Sequence, residues 1–244
     1  MKKFFSIAFA LTTAIALGQA SVAPKAADLL EKAKATHGGA AFDGLKTYQE
    51  TADLTYYDDK GKVAAQLSGV VKIDFAAERV RIDIFQAKNL VAIQQYDPKG
   101  SSAWNPQSGT IKLPKAEAES VRGSLYQGVI ALKFGKDRES ARSDGAGKWL
   151  ESQGEVVSLT TKGVKTSYLL DANAVVLAER YDAPQLGTLV SVYSDVREVG
   201  GLKLPYASKS FIEQAKNALF AESKTSEIKI NPAFTATDFE MPKK

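Results

Sequence analysis

Residues 63–75 read VAAQLSGVVKIDF, and this stretch decides the fold. Apolar or small side chains stand at every second position; they are Val63, Ala65, Leu67, Gly69, Val71, Ile73 and Phe75. A period of two places these side chains on one face of an extended chain, because successive residues of a strand point to opposite faces. The stretch therefore predicts a long β-strand with one buried face.

Similar alternating runs flank this stretch on both sides. Upstream, residues 48–56 alternate and lead into the turn sequence Asp58-Asp59-Lys60-Gly61. Downstream, residues 80–84 alternate, and further short runs separated by turn residues continue to Leu113. Short connections of this kind join antiparallel neighbours. The pattern predicts an antiparallel meander.

A helix is predicted before the strands. Pro24 suits its first turn, and Gly38-Gly39 ends it. The residues that share one face of it are Ala26, Leu30, Ala33 and His37. We expect a structural role for His37, because an imidazole in the last turn of a helix can bind carbonyl groups.

A second helical region follows over residues 114–136, where apolar residues recur every third or fourth position. Gly123 and Gly128 are expected to interrupt or bend it. A polar stretch, residues 138–147, comes next, and we expect a surface loop at residues 145–148.

Antiparallel strands are predicted again over residues 155–230. The order of elements predicts an α+β fold, an incomplete, unclosed antiparallel β-barrel with an N-terminal helix and inserted lid helices. Such a barrel encloses a cavity, whereas a filled core fits the same periodicity.

The N-terminal segment has the order of a signal peptide. Lys2 and Lys3 supply the positive end, residues 4–17 carry no charge, and small residues precede the expected cleavage site after Ala20. The run is shorter than the about 20 apolar residues of a membrane span. We predict a signal peptide at residues 1–20, a periplasmic protein, and one domain over residues 21–244.

The composition excludes much enzyme chemistry. Among 244 residues there is no cysteine, and His37 is the single histidine. Thiol nucleophiles, disulfides, multi-histidine metal sites and histidine-based catalysis are therefore not expected. The 32 basic and 28 acidic residues are dispersed, which does not indicate nucleic acid binding. We expect no catalytic activity, no cofactor and no metal.

Three passages resemble one protein family. Residues 193–205 read YSDVREVGGLKLP, residues 228–232 read IKINP and residues 238–242 read DFEMP. In this order they are similar to a strand-turn-strand passage, the final strand and the closing turn of the outer-membrane lipoprotein-sorting, or LolA-like, superfamily. Residues 33–45, with their paired glycines after a helix, also match.

The resemblance implies a carrier. Family members are unclosed barrels, lidded by helices, that receive acyl chains in an apolar interior and move a lipoprotein or lipid through the cell envelope. The best-known members gate the cavity with an arginine on an early strand; Arg79 and Arg81 lie on such a strand here, but in no matching motif. The alternative is an envelope-stress or signalling module on the same scaffold that binds a membrane protein.

Candidate ligand-binding residues are apolar positions of the predicted strands and lid helices. They are Val71, Ile73, Phe75, Ile82, Ile84, Trp104, Leu125 and Leu132. The expected ligands are acyl chains of a lipoprotein or lipid, and the expected protein partner is a membrane-bound donor or receptor. We expect a monomer.

The first prediction concerns processing. The mature protein should begin at Ser21 and should be found in the periplasmic fraction, because residues 1–20 have the order of a cleavable signal. N-terminal sequencing and cell fractionation measure both. Uncleaved protein in membranes that resists carbonate extraction would contradict the prediction.

Overall fold

The computed structural model describes residues 24–184 and 186–242. The predicted signal peptide, residues 1–20, and its cleavage site lie outside the described residues. The described chain begins with helix α1, Pro24–His37, as the sequence predicted, and a short 3-10 helix, Gly39–Phe42, follows. No helix in the described ranges is long and apolar enough to cross a membrane.

Thirteen antiparallel strands make up most of the described part of the chain. The first meander consists of β1 (Thr47–Tyr57), β2 (Val63–Asp74), β3 (Arg79–Gln86), β4 (Asn89–Tyr96), β5 (Ser102–Asn105) and β6 (Gly109–Lys112). The second consists of β7 (Ser140–Trp149), β8 (Ser152–Thr161), β9 (Val164–Leu170), β10 (Val176–Ala183), β11 (Gly187–Val199), β12 (Leu202–Ile212) and β13 (Ala218–Ile230).

The two meanders form one sheet because β1 pairs with β13. The strand order is β6-β5-β4-β3-β2-β1-β13-β12-β11-β10-β9-β8-β7. Over the described ranges the outer strands β6 and β7 do not pair with each other, so the barrel is not closed. The predicted unclosed antiparallel β-barrel is confirmed.

The connection between β6 and β7 carries the inserted helices. α2 spans Lys115–Gly123 and packs on β3 and β4, and a 3-10 segment spans Val129–Asp137. Gly128 separates them with a φ of 73°, a left-handed conformation that favours glycine. The predicted helical region and its interruption at Gly128 are therefore confirmed, although the second half is a 3-10 helix.

The polar stretch after these helices is a strand. The expectation of a surface loop at residues 145–148 is wrong, because these residues belong to β7 and pair with β8. β7 is an edge strand, and most of its side chains are exposed or half-buried. An edge strand with exposed side chains needs no apolar run, so its polarity resembles that of a loop.

The hydrophobic core lies between the helices and one face of the sheet. Ala26, Leu30 and Ala33 are buried on the predicted face of α1. They belong to one cluster with large buried side chains from the segment after α1, from the strands and from the insertion: Phe42, Leu45, Ile73, Leu125, Tyr126, Tyr168, Leu170, Leu202 and Leu204.

The C-terminal end of α1 lies against the turn between β11 and β12. Gly38 has a φ of 139°, and a Cβ atom there would come within 2.5 Å of the Gly201 carbonyl oxygen. A larger residue does not fit without a shift of backbone. Two of the glycine-containing passages that carry the family resemblance therefore meet at this contact.

His37 is buried and is fixed by two backbone groups. Its Nδ1 lies 2.7 Å from the carbonyl oxygen of Lys203, and its Nε2 accepts the N–H of Val176 at 3.0 Å. Because Nε2 accepts, the ring is neutral with its proton on Nδ1. Burial lowers the pKa of His37, which favours the same form. The imidazole ties α1 to β12 and β10, and the expected structural role is confirmed.

Replacing His37 with alanine should lower the free energy of unfolding by about 3 kcal/mol, because two backbone groups lose their partner and a cavity remains. The contribution of neutral His37 to the free energy of unfolding is fully present above pH 6.5, the pKa of histidine in the unfolded chain. It is lost as the pH falls through the lower pKa that His37 has in the folded protein. The difference between wild type and variant should therefore shrink below about pH 6.5. Urea unfolding of both proteins at a series of pH values measures this difference. A difference that does not change with pH would contradict the burial of neutral His37.

Candidate ligand-binding cavity

A cavity of about 370 Å³ lies between the sheet and the loop that follows α2. Strands β1, β2 and β10 to β13 line it, and residues 124–130 cover one side. Sites for small molecules have volumes of roughly 300–1,000 Å³. The sequence left open a cavity or a filled core, and the structure has both: a filled core beneath the helices and this cavity over another part of the same face.

The register of the sheet brings the lining residues together. Glu179 pairs with Ser191, and Ser191 pairs with Ser210. On the other side of the β1–β13 junction, Glu50 pairs with Val71. Directly paired residues share a face. Residues that are far apart in the sequence therefore form rows across the cavity wall.

The cavity wall is amphipathic. Its apolar members include Leu54, Val71, Ile73, Val129, Ile130, Leu189, Leu204 and Phe220. Its polar members include Tyr48, Glu50, Tyr56, Glu179, Tyr181, Ser191, Tyr193, Ser208, Ser210, Ser223 and Thr225. Two of these are carboxylic acids, and none of the described lining residues is a lysine, an arginine or a histidine.

Glu50 is held by two hydroxyl groups. The Tyr48 hydroxyl donates to Oε2 at 2.7 Å, and the Thr225 hydroxyl donates to Oε1 at 2.6 Å. Thr225 belongs to β13, so this second bond crosses the junction between the meanders. Each carboxylate oxygen can accept a further hydrogen bond, and a ligand can supply it.

Glu179 is 6% exposed and connects the sheet to the loop. Its Oε2 accepts the N–H of Gly128 at 2.6 Å, and the Tyr168 hydroxyl donates to the Gly128 carbonyl oxygen at 2.8 Å. Burial raises the pKa of Glu179 from 4.5 to about 7, against the opposite effects of the Gly128 amide and the Tyr193 hydroxyl. Glu179 therefore keeps its proton to a much higher pH than an ordinary carboxyl group does.

Three tyrosines surround this carboxyl group. Burial raises the pKa values of Tyr168, Tyr181 and Tyr193, and the charge of Glu179 raises them further. The three side chains are therefore neutral at physiological pH. Each hydroxyl can donate a hydrogen bond as well as accept one.

The residues predicted on β2 and β3 lie on one face of the sheet. Val71 and Ile73 line the cavity, and Ile82, which pairs with Val71, is half-buried against the core. Ile84 is half-buried on β3 and does not line the cavity. Trp104 of β5 lies on the opposite face, as its register through β4 shows.

The other predicted residues belong to the core. Phe75, Leu125 and Leu132 are buried there and do not line the cavity. Phe75 packs against Phe134, with 6.1 Å between ring centroids. Binding of a ligand by any of the predicted residues stays a prediction, and geometry favours Val71 and Ile73 for it.

The sequence pattern did not predict that Glu179 lines the cavity, and a β-bulge explains why. In β10, the register shifts between Val176 and Ala178, so that Leu177 is an extra residue. Without the bulge, Glu179 would point to the face opposite to Val176. With the bulge, the side chains of Val176 and Glu179 both point to the core face of the sheet. The residues around Glu179 carry no alternation that could have revealed this.

Arg79 and Arg81 lie on the other face of the sheet. Arg81 donates to Asp83 at 2.7 Å and to the main-chain oxygen of Glu240. The guanidinium of Arg79 lies 4.3 Å from the ring centroid of Phe239. Both arginines hold the C-terminal segment, and neither lines the cavity.

Comparison with known proteins identifies the fold. No family model and no curated protein matches the sequence. A DUF1329 family protein from Desulfovibrio piger matches with a TM-score of 0.62 at 10% identity, over 90% of this chain and 98% of that one. A LolA superfamily protein from Nitrosomonas europaea matches with a TM-score of 0.60 at 14% identity, over 88% and 97%.

A third solved structure, a domain named for outer membrane lipoprotein sorting from Vibrio parahaemolyticus, has a TM-score of 0.51. Its identity is 11%, over 88% of this chain and 96% of that one. The chain therefore has the fold of the LolA superfamily, as the resemblance implied. At these identities the shared property is the fold.

Replacing Glu179 with glutamine should stabilise the protein at alkaline pH. A carboxyl group whose pKa rises on folding from 4.5 to about 7 destabilises the fold as the pH increases through this window, by roughly 3 kcal/mol above it. Glutamine accepts from the Gly128 amide but cannot ionise. The gain of the variant in urea unfolding should be larger at about pH 8 than at about pH 5. An equal difference at both would contradict the raised pKa.

Proposed function

We propose that this protein is an exported carrier, and not an enzyme, that binds an acyl chain of a lipoprotein or lipid and moves it through the cell envelope. The observation that carries this proposal is the cavity of about 370 Å³ in a LolA-type fold. The signal-like order of residues 1–20 supports export.

The hydrophobic effect would hold an acyl chain in this cavity. Strands β1, β2, β11 and β12 supply Leu54, Val71, Ile73, Leu189 and Leu204. Each methylene group removed from water contributes about 0.8 kcal/mol. Affinity therefore depends on the buried length of the chain, and no specific contact to the chain is needed.

The loop after α2 gives the cavity a movable part. Gly128 is bound to the sheet through Glu179 and Tyr168, and moving it away breaks these two hydrogen bonds. Opening the sheet would break a whole ladder of hydrogen bonds. Opening the loop also exposes the buried side chains of Tyr126, Val129 and Ile130, so the loop opens when a membrane-bound receptor that accepts the ligand supplies a new contact for them.

The structural relatives support a role in lipoprotein handling. One of them is named for outer membrane lipoprotein sorting, and another for the LolA superfamily. These names describe those proteins. Carried over to this chain, they favour a membrane-bound donor or receptor protein as its partner.

Replacing Ser223 with tryptophan should reduce lipid binding and leave the protein folded. Ser223 is half-buried on β13 and lines the cavity, so an indole ring there fills ligand volume. Native mass spectrometry of protein purified without detergent, followed by lipid extraction, measures bound lipid. Wild type should carry lipid, and the variant should carry several-fold less.

The matched control is Lys224→Trp. Lys224 is the next residue of β13, is exposed, and points to the opposite face. It should keep its lipid, and urea unfolding should show that both variants are folded. Wild-type protein that carries no lipid and takes up no neutral acyl probe would rule out the carrier function.

A further inference from the structure

The cavity is acidic, although the chain carries a formal charge of +4. Its described lining includes Glu50 and Glu179 and no basic residue. None of the ion pairs found in the described part of the chain includes either acid. An anionic head group would therefore meet two acids and no cation.

Of the two acids, Glu179 would be stabilised more by pairing with a cation. It is 6% exposed, and the groups that stabilise its charge, the Gly128 amide and the Tyr193 hydroxyl, are neutral. A buried carboxylate is costly unless it is paired or protonated. A cation that entered with the ligand would complete the pair.

The cavity also offers aromatic walls. Tyr48, Tyr56, Tyr181, Tyr193 and Phe220 line it. Tyr56 and Phe220 meet edge to face, with 5.4 Å between ring centroids and 70° between the ring planes. Faces of aromatic rings attract cations, and sites for quaternary ammonium groups use them.

We propose that the ligand is an amphiphile with a cationic head group, an amine or a quaternary ammonium, and an apolar chain. Glu179 binds the head group, Glu50 adds a second negative charge to the same cavity, and the apolar residues of β1 and β2 contact the chain. This inference rests on the proposed carrier function and specifies the class of lipid that is carried.

Binding of a cation should be linked to deprotonation of Glu179. The groups that face it are the hydroxyls of Tyr168 on β9 and Tyr193 on β11 and the Gly128 amide, with Tyr181 on its own strand. All of them are neutral near pH 7, where Glu179, with its pKa of about 7, titrates. A cation favours the carboxylate, so affinity should rise as the pH increases through this value.

Isothermal titration calorimetry with three probes of equal chain length tests the inference. Dodecyltrimethylammonium, dodecanol and dodecanesulfonate carry a positive, a neutral and a negative head group, none of which titrates in the range used. Below the micelle concentrations of the two charged probes and the solubility limit of dodecanol, wild type should bind the cation about tenfold more tightly than the alcohol, and the sulfonate more weakly than both. The preference for the cation should increase from about pH 6 to about pH 8.

Two variants and one control locate the effect. Glu179→Gln should lose about tenfold in affinity for the cation, should keep its affinity for dodecanol, and should show no pH dependence. Glu50→Gln should lose affinity for the cation and keep the pH dependence. Glu151→Gln, an exposed position in the turn between β7 and β8, should behave as wild type.

The outcomes separate the two proposals. Equal binding of all three probes, or a preference for the sulfonate, overturns the cationic ligand and leaves the carrier function standing. A cation preference that Glu179→Gln and Glu50→Gln do not reduce also overturns it. Failure of wild type to bind any of the probes overturns both.

Discussion

The pairing of β1 with β13 is the interaction on which the rest of the structure depends. It joins the first and the last strand, with Tyr48 opposite Ile230, and the side chain of Asn231 accepts the backbone N–H of Lys46 at 2.7 Å. Without this pairing the two meanders would be separate sheets, each with one more free edge. The acids of the cavity lie on β1 and β10, on either side of this junction. A site with both of them therefore exists only when the first and last strands have met.

Much of the fold could be predicted because most strands have one buried face. The alternation from Val63 to Phe75 identified β2, and the turn residues identified its neighbours. In the predicted turn before β2, Asp58 accepts the backbone N–H groups of Lys60 and Lys62. β7 was not predicted because an edge strand with few buried side chains shows little apolar alternation. The β1–β13 pairing joins residues far apart in the sequence, and alternation says which face is buried but not which strand is the neighbour.

The cavity was harder to predict than the fold. Val71 and Ile73 were found because lining and core residues of a strand follow the same alternation. For the same reason Phe75 was predicted to line the cavity, and Leu125 was predicted from the apolar positions of the helical region, whereas the structure places both in the core. Glu179 was not predicted because a single β-bulge changes the face of the sheet to which its side chain points. Nothing in the sequence around it indicates this bulge. Periodicity thus located the inner face of the sheet, and only the structure shows which part of that face is empty and how it is charged.

The gap in the barrel leaves two free strand edges, and free edges recruit other chains. β6 is only four residues long, and β7 exposes Arg142, Asp144 and Lys148 and has a bulge between Ser143 and Gly145. Short, charged and irregular edges resist the addition of a further strand. The sheet can therefore stay unclosed without presenting a long, regular edge on which a second copy of the chain could add a strand.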